Sequence, residues 1–196
     1  MQDTAILVLA AGNSSRLGQP KQLLSYLGKT LIQNIVDVAL STNADAVFVI
    51  TGSFSDQVIL NLEGRDINIV QNLDWAEGMS SGIRIGLKAA IEKLPNLENV
   101  ILTVCDQPFV TSDFLCKLLL LKNKSKKTVV SSAYAHTIGT PVLFDKRHFD
   151  SLFGLKGKDG AKKLLEVLKD DMITISFPKG FIDIDTEADY IKLIND

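Results

Sequence analysis

The sequence is poor in the residues that mark disulfide-stapled proteins and in those used for nucleophilic catalysis. Its 196 residues include two cysteines and two histidines. Cys105 and Cys116 are too far apart for a CxxC pair, and Cys105 lies in an apolar run, so both are expected to be small core residues of a reducing compartment. His136 and His148 have no partner visible in the sequence, and surface or minor structural roles are expected. No Ser/His/Asp or Cys/His constellation is apparent.

Strong charge and long hydrophobic runs are also missing. The formal net charge is −2, so no overall field attracts the protein to nucleic acid or to an anionic membrane. The stretch from Lys122 to Lys127 is interpreted as a solvated connection, with nucleic-acid contact the weaker alternative. The amino terminus lacks a basic region and a long apolar segment, and no apolar run approaches membrane-spanning length. We therefore expect a cytoplasmic protein with neither nucleic acid nor membrane as partner.

What is present is typical of one α/β domain. The length, with 46% apolar and 22% charged residues, suits a single domain over residues 1–196. Unbroken apolar runs, AILVLA from Ala5 and AVFVIT from Ala46, alternate with segments of helical periodicity. This alternation predicts a parallel sheet with right-handed crossovers.

Helix caps and a last strand can also be placed. Thr30 is a candidate N-cap for the first long helix. FIDIDTEADYIKLI predicts a strand that runs into the last helix, with Asp183 and Asp185 on one side of the strand. Thr186 and Asp189 fit a TxxD capping pattern, which leaves Asp185 free for another role.

The loop GNSSRLGQPK, from Gly12 to Lys21, is the most informative segment. It follows the first buried strand, and loops at the carboxyl ends of such strands are where open α/β sheets bind ligands. Gly12 and Gly18 allow positive φ and the close approach of a ligand, while Arg16 and Lys21 add two cations. The loop therefore predicts a cradle for an anion such as a triphosphate. It fits neither a Walker A loop nor GxGxxG, and an ordinary βα turn with surface cations is the alternative.

A carboxylate ends another buried strand, within NVILTVCDQP. Because the carboxyl ends of parallel strands meet at one edge of a sheet, Asp106 is expected close to the glycine loop. Contact with a metal or nucleotide is the favoured role. Capping of the next helix is the structural alternative, although Thr111 or Ser112 can cap that helix.

These segments resemble a known family. LAAGNSSRLGQPK is similar to the LAAGxSxRxGxxK signature of the MobA-like nucleotidyltransferases, in particular the branch containing molybdenum cofactor cytidylyltransferase. DQP and DIDT follow in the family's order, so the resemblance covers nearly the whole chain. It implies an α/β fold: a single-domain, Rossmann-like three-layer α/β/α sandwich of the nucleotide-diphospho-sugar transferase type. The sheet is expected to be mostly parallel with a small antiparallel element.

The resemblance also implies roles for individual residues. The pair expected to act in catalysis is Arg16 and Lys21. The expected nucleotide-binding residues are Leu9, Ala10, Ala11, Gly12, Lys21, Gly78, Met79, Ser80, Ser81 and Asp106. The expected acceptor-binding residues are Asn72, Trp75, Gly139 and Pro141. The expected magnesium ligands are Asp106 and Asp185, with Asp183 as a further candidate. For Trp75, covering the edge of the core is an equal alternative.

Two further segments bear on the substrates. LAAG resembles the cytidylyl branch more than the guanylyl branch, and NLDWAEGMSSGI is similar to its NPxWxxGMxxS pattern, with Leu73 in place of Pro and Gly82 in place of Ser. GKDGAKK departs from the family's GDxGAR segment. Lys158 stands where the acid is expected, Asp159 follows one place later, and Lys162 replaces Arg, so this segment leaves the acceptor open.

The resemblance implies magnesium-dependent transfer of CMP from CTP to the phosphate of the molybdenum cofactor, molybdopterin, with release of pyrophosphate. The alternatives are a guanylyltransferase of the same cofactor, another nucleotidyltransferase with a phosphate acceptor, and a noncatalytic nucleotide-binding accessory module. A recipient molybdoenzyme or its chaperone is the expected protein partner.

Overall fold

A seven-stranded sheet forms the centre of the protein in the computed structural model, which describes residues 3–157 and 160–195. The strands are β1 (Asp3–Ala10), β2 (Ser25–Tyr26), β3 (Lys29–Thr30), β4 (Ala46–Thr51), β5 (Asn68–Gln71), β6 (Leu97–Val104), β7 (Val129–Tyr134), β8 (Thr137–Asp145) and β9 (Met172–Ser176). The helices are α1 (Leu31–Leu40), α2 (Ser55–Asn61), α3 (Met79–Lys93), α4 (Ser112–Lys124), α5 (Phe149–Phe153), α6 (Ala161–Val167) and α7 (Glu187–Asn195).

The sheet is mostly parallel. Its order is β5-β4-β1-β6-β8-β7-β9, and β2 pairs with β3 in a separate antiparallel ribbon. β8 is antiparallel to both of its neighbours, and the remaining pairings of this sheet are parallel. The expected α/β fold with a small antiparallel element is confirmed. No helix in the described ranges has the length and apolar character needed to cross a membrane.

Alternate side chains of the central strands build two cores. Ile6 and Val8 of β1 share one core with residues of α1, α2 and α4, whereas Ala5 and Leu7 share the other with residues of α3, α5 and α6. All four are fully buried. A strand covered on both faces needs apolar residues at every position, which is why β1 is an unbroken apolar run.

The candidate site lies beside β1, where the helical connections run toward opposite sides of the sheet. The chain passes from β1 through α1 to β4 on one side, and α3 later returns it to β6 on the other side of β1. Helices α1 and α3 lie on opposite faces of the sheet. A crevice opens at such a switch point, at the carboxyl ends of the strands. The segments that follow β1 and β6 are the glycine loop and Asp106.

Both predicted helix caps are confirmed. Thr30 and Gln33 form a capping box, in which the Gln33 N–H donates to Thr30 Oγ1 (3.3 Å) and the Thr30 N–H donates to Gln33 Oε1 (3.0 Å). The Asp189 N–H donates to Thr186 Oγ1 (3.2 Å), and the Thr186 N–H donates to Asp189 Oδ2 (2.8 Å). Such caps are local, because they satisfy backbone N–H groups of a helix's own first turn.

The strand predicted before the last helix is wrong. Residues 177–185, which we call the 177–185 segment, run without regular secondary structure between β9 and the turn that precedes α7. The alternating apolar side chains that suggested a strand have another use, because Ile184 is fully buried in a small third core. The other buried members of that core are Leu24, Leu31 and Leu193. Asp183 and Asp185 are therefore not held by a sheet ladder.

The lysine-rich stretch is only partly a solvated connection. Lys122 belongs to α4, and its spacing from Leu115 and Leu118 places it on the same buried face of the helix. Its Nζ forms a 2.8 Å ion pair with Asp145 Oδ2, and both side chains are only 9% exposed. The solvated interpretation is therefore wrong for Lys122.

We expect replacement of Asp145 by asparagine to lower the free energy of unfolding by about 3–5 kcal/mol at neutral pH, because it leaves the Lys122 ammonium buried without its partner. Burial would raise the pKa of Asp145, but hydrogen bonds from Arg147 and Lys122 outweigh it and hold that pKa well below its usual 3.8. A depressed folded pKa stabilises the protein above pH 3.8, and this stabilisation is lost as the pH falls further.

Urea unfolding of the wild type and Asp145→Asn between pH 7 and pH 2 measures both effects. The difference between the two proteins should shrink below about pH 4. Asp150→Asn, which changes an exposed carboxylate on α5, is the control and should unfold like the wild type. An Asp145→Asn variant as stable as the wild type at pH 7 would contradict the expectation.

Candidate active site

A cleft of about 590 Å³ opens at the carboxyl ends of β1 and β6. The nucleotide-binding candidates that line it are Leu9, Ala10, Ala11, Gly12, Lys21, Gly78, Met79 and Asp106. Trp75 lines the same cleft. The cleft is large enough for a nucleotide-sized ligand, and its place in the fold is the switch point described above.

Four charged side chains from three distant parts of the chain meet beside this cleft, and we call them the ion-pair cluster: Arg16, Lys21, Asp106 and Asp185. Lys21 Nζ forms ion pairs with Asp106 and with Asp185 Oδ1, the latter at 3.0 Å. Arg16 Nη2 contacts Asp185 Oδ2 at 2.6 Å. The Lys21 side chain is 15% exposed and the Arg16 side chain 70% exposed. One cation is therefore fixed inside the site, and the other stands at its rim.

The acidity of these groups reflects their mutual contacts. Burial would lower the pKa of Lys21, but the negative charge and hydrogen bond of Asp106 outweigh it and raise that pKa above its usual value. Burial would raise the pKa of Asp185, but the hydrogen bond and charge of Lys21, together with Arg16, lower it. Desolvation and the negative charges of Asp106 and Asp185 raise the pKa of Asp183. Lys21 thus stays cationic at neutral pH. Of Asp183 and Asp185, Asp183 is the carboxylate that binds a proton more tightly.

The glycine loop is held open by side chains within it and just after it. Gln22, which is 1% exposed, donates from Nε2 to the carbonyl oxygens of Ala10 and Gly12, each at 2.8 Å. Ser14 Oγ accepts the Lys21 N–H at 3.0 Å. Hydrogen bonds within the protein therefore fix the curvature of the loop.

The positive φ expected at both loop glycines occurs at Gly18 (74°) but not at Gly12. Ser14 takes a left-handed conformation instead, with φ at 50°. The N–H groups of Leu17 and Gly18 both donate to the Ser14 carbonyl oxygen, which closes a tight turn around this residue. The part of the prediction that concerned Gly12 is wrong, because the turn lies two residues further along.

The loop between β5 and α3 is organised by buried polar side chains. Asn72 is 2% exposed, donates from Nδ2 to Ser81 Oγ at 2.8 Å and accepts the Asp74 N–H at 3.1 Å. Ser80 is fully buried and donates from Oγ to the Gly157 carbonyl oxygen at 2.5 Å. These side chains shape the wall of the cleft rather than line it, so any contact of the serines with a nucleotide would come from backbone atoms.

Gly139 and Pro141 lie on β8, outside the lining of the cleft. A Cβ on Gly139 would lie 2.5 Å from the Tyr134 hydroxyl oxygen, so the glycine makes room for that ring. The structure places both residues beside Thr140, whose Oγ1 donates to Gln107 Oε1 at 3.1 Å. The structure does not bring the four predicted acceptor-binding residues together: Trp75 lines the cleft, Asn72 is buried in the loop before α3, and Gly139 and Pro141 lie on β8.

Sequence reasoning missed Gln22 and Gln107, and it predicted the burial of Cys105 in a core but not its place at the cleft. Cys105 lines the cleft, and burial together with the charge of Asp106 raises the pKa of its thiol to about 12. A thiol this weakly acidic is no nucleophile at neutral pH. The DQP motif was a signal for Gln107, whereas the partners of Gln22 are backbone carbonyls that no side-chain pattern reveals. Lys158 and Asp159 lie outside the described residues, while Lys162 is exposed on α6.

The acidic pair fits a divalent cation that is completed by other oxygens. Among the residues that the structure describes, no group of three or more His, Cys, Asp or Glu side chains is arranged to hold a metal. Carboxylates of Asp106 and Asp185 nevertheless converge on one cationic atom, Lys21 Nζ. Mg²⁺ is commonly bound by one or two carboxylates together with phosphate oxygens and waters. The donor set therefore fits Mg²⁺ in the presence of a phosphate ligand.

Most of the chain matches a known protein family. Residues 6–172 match the family described as the MobA-like NTP transferase domain. The matched range includes the glycine loop, the β5–α3 loop and Asp106, and it ends before Asp183 and Asp185. The acidic residues of the 177–185 segment thus lie outside it.

Individual relatives are moderately similar. Nicotine blue oxidoreductase of Paenarthrobacter nicotinovorans is 29% identical over 143 residues, which are 72% of this chain and 67% of that protein. The bifunctional protein GlmU of Saccharophagus degradans is 32% identical over 118 residues, 58% of this chain, and the match spans 24% of GlmU. The crystal structure of Rv0371c from Mycobacterium tuberculosis H37Rv has a TM-score of 0.84 at 26% identity, covering 100% of this chain and 99% of that one. A complex of Rv0371c with manganese is also similar, with a TM-score of 0.76.

Proposed function

We propose, from the premise that this chain belongs to the MobA-like NTP transferase domain family, that it transfers CMP from CTP to the phosphate of the molybdenum cofactor. An oxygen of the acceptor phosphate attacks the α-phosphorus of CTP and forms a phosphoanhydride bond. The bond from the α-phosphorus to the bridging oxygen breaks, and pyrophosphate leaves with the electron pair. The ion-pair cluster beside the cleft is the observation that carries the proposal.

Arg16 and Lys21 supply the positive charge that the reaction requires. Two anions must approach each other, and negative charge grows on the oxygen that leaves. We assign Lys21 to the α-phosphate and Arg16 to the β- and γ-phosphates, because Lys21 is fixed in the cleft and Arg16 stands at its rim. A preorganised charge of this kind is typically worth about 3–4 kcal/mol in the transition state.

Asp106 and Asp185 are proposed to hold Mg²⁺ together with the triphosphate, with Asp183 as a further candidate. When bound there, the ion acts as a Lewis acid on the α-phosphate and neutralises the departing pyrophosphate. The manganese complex of Rv0371c, a protein 26% identical to this chain, supports a divalent metal.

The base of CTP is assigned to the end of the cleft formed by the LAAG backbone and the Gly78 turn. Backbone groups there can pair with the edge of a base, while Trp75 and Met79 line the same cleft with apolar surface. The similarity of LAAG and of NLDWAEGMSSGI to the cytidylyl branch is what favours cytosine. The acceptor is assigned to the side of Asp106 that faces β8, near Gly139 and Pro141.

The test is an assay of pyrophosphate release with purified protein, Mg²⁺, each nucleoside triphosphate in turn and a source of molybdenum cofactor. We expect release that requires CTP, the cofactor and the metal together. If GTP is the only nucleotide that supports pyrophosphate release, the protein is a guanylyltransferase. If CTP supports release with a different phosphate compound, the assignment of the acceptor changes. No CTP-dependent release with any acceptor would contradict the proposal.

The similarity to nicotine blue oxidoreductase makes a redox reaction the second candidate. The ion-pair cluster favours nucleotidyl transfer over a redox reaction. Nucleotidyl transfer uses two cations and two carboxylates beside a phosphate-binding loop, whereas electron transfer does not require them. A noncatalytic nucleotide-binding module is the third candidate. Metal-independent nucleotide binding without turnover in the same assay would favour that module.

A further inference from the structure

We propose that Gln107 is a positioning residue, which holds the 177–185 segment, and with it the carboxylates of Asp183 and Asp185, against the end of β6. The inference rests on the proposed function for what those carboxylates do. The tether itself is a structural claim that can be tested without turnover.

The 177–185 segment needs such a tether because its backbone is irregular. The Phe177 N–H donates to the Ala133 carbonyl oxygen at 2.9 Å at one end of the segment, and the Ile184 N–H donates to the Asp106 carbonyl oxygen at 3.1 Å near the other. Between these points no strand pairing is present in the described chain. A carboxylate on an irregular segment keeps its position only through individual contacts.

The ion pairs to Asp185 cannot serve this purpose in a loaded enzyme. Arg16 and Lys21 are the cations that the proposed reaction uses on the phosphates. When they turn toward a triphosphate, Asp185 loses partners that hold it at 2.6 and 3.0 Å. Contacts that do not involve substrate must then keep the segment in place: the bond from the Ile184 N–H to Asp106 near its end, and a second contact at its middle.

Gln107 has the geometry for that contact. It is 5% exposed. Its Nε2 donates to the Gly180 carbonyl oxygen at 2.8 Å, and its Oε1 accepts from Thr140 Oγ1 at 3.1 Å. The amide of Gln107 thus connects two parts of the protein. Its oxygen bonds to β8, and its nitrogen bonds to the middle of the 177–185 segment.

The packing around Gly180 leaves its carbonyl oxygen little freedom. A Cβ at this position would collide with the rings of Phe177 and Tyr134. The Tyr134 hydroxyl in turn hydrogen-bonds with the side chains of Gln107 and Thr140. Tether and packing therefore act at the same point of the segment, three residues before Asp183.

The chain offers a matched control in Gln33. Its Nε2 donates to the Asn61 carbonyl oxygen at 2.9 Å and its Oε1 accepts the Thr30 N–H at 3.0 Å, so its amide also bridges two segments. It lies on α1, outside the lining of the cleft. Gln33→Leu therefore also removes one hydrogen bond donated to a backbone carbonyl and one accepted by the amide oxygen, without touching the 177–185 segment.

Trypsin cleavage after the exposed Lys179 reports on the tether directly. We compare native-state cleavage of the Lys179–Gly180 bond, followed by mass spectrometry, in the wild type, Gln107→Leu and Gln33→Leu. Loss of the tether should accelerate cleavage at this bond about five- to tenfold in Gln107→Leu, the factor expected for one hydrogen bond in a local opening equilibrium. Gln33→Leu should cleave there at the wild-type rate. Equal rates in all three proteins would overturn the proposal, whatever reaction the wild type catalyses.

Metal binding separates positioning from a merely structural role. Electron paramagnetic resonance of Mn²⁺ with CTP should show about five- to tenfold weaker binding in Gln107→Leu and no change in Gln33→Leu. Raised Mn²⁺ should restore turnover in Gln107→Leu, because its carboxylates are present but displaced. Thr140→Val keeps the contact with Gly180 and should bind Mn²⁺ like the wild type. Unchanged Mn²⁺ affinity in Gln107→Leu would overturn the positioning role even if the tether exists, and inactivity of the wild type would refute the proposed function alone.

Discussion

Replacement of Lys21 by methionine is expected to lower CTP-dependent pyrophosphate release roughly 100- to 1,000-fold, the range found when one preorganised charge is removed from an active site. Methionine keeps the length and apolar contacts of the stem, so the change removes the ammonium and little else. The buried ammonium is the group that meets both acidic segments. The expected loss lies in kcat as well as in the affinity for CTP, because the charge acts on the phosphate being transferred.

The same variant has a second expected property that does not depend on turnover. Lys21 Nζ stands between the two carboxylates proposed as metal ligands. Without it, Mn²⁺ should bind more tightly in the absence of nucleotide, since the ammonium no longer competes for those oxygens. Lys88→Met, which removes an exposed ammonium on α3 (71% exposed), should alter neither property. Wild-type rates in Lys21→Met would refute the role of this residue.

Replacement of Asp106 by asparagine is expected to reduce turnover to a similar extent, again roughly 100- to 1,000-fold, by removing a charge from the site. The side chain keeps its shape and loses one unit of charge. Two effects follow. A carboxylate oxygen that suits Mg²⁺ becomes an amide, and Lys21 loses the partner that does most to raise its pKa.

Binding measurements distinguish this variant from the lysine variant. Asp106→Asn should weaken Mn²⁺ binding in the presence of CTP, whereas affinity for CTP without metal should stay the same or rise, because a negative charge near the phosphates has gone. Asp150→Asn serves as the control for loss of an exposed carboxylate. Circular dichroism should show the same fold in all variants. Full activity in Asp106→Asn would exclude this carboxylate from the reaction.

The parts of the structure that sequence predicted are those with local or topological causes. The burial of β1 on both faces follows from its unbroken apolar run, and the cap at Thr30 follows from its place directly before a segment of helical periodicity. The proximity of Asp106 to the glycine loop follows from topology, because neighbouring parallel strands end at one edge of the sheet. Each of these predictions needed a pattern and no knowledge of distant contacts.

The parts that sequence did not predict depend on contacts between distant residues. Lys21 and Asp185 are 164 positions apart, and their ion pair exists because an irregular segment folds back across the end of β6. The alternation around Ile184 suggested a strand, but tertiary packing uses that side chain in the third core. Lys122 is buried for a similar reason, since the buried partner Asp145 comes from β8.

The location of a single Mn²⁺ ion in crystals grown with CTP tests the central claim most directly. The claim is that the glycine loop and the two acidic segments form one site for a triphosphate and a divalent metal. We predict an anomalous difference peak coordinated by Asp106 and Asp185, with the triphosphate against residues 12–21. A metal peak away from both carboxylates, or CTP bound at the opposite end of the sheet, would contradict the account.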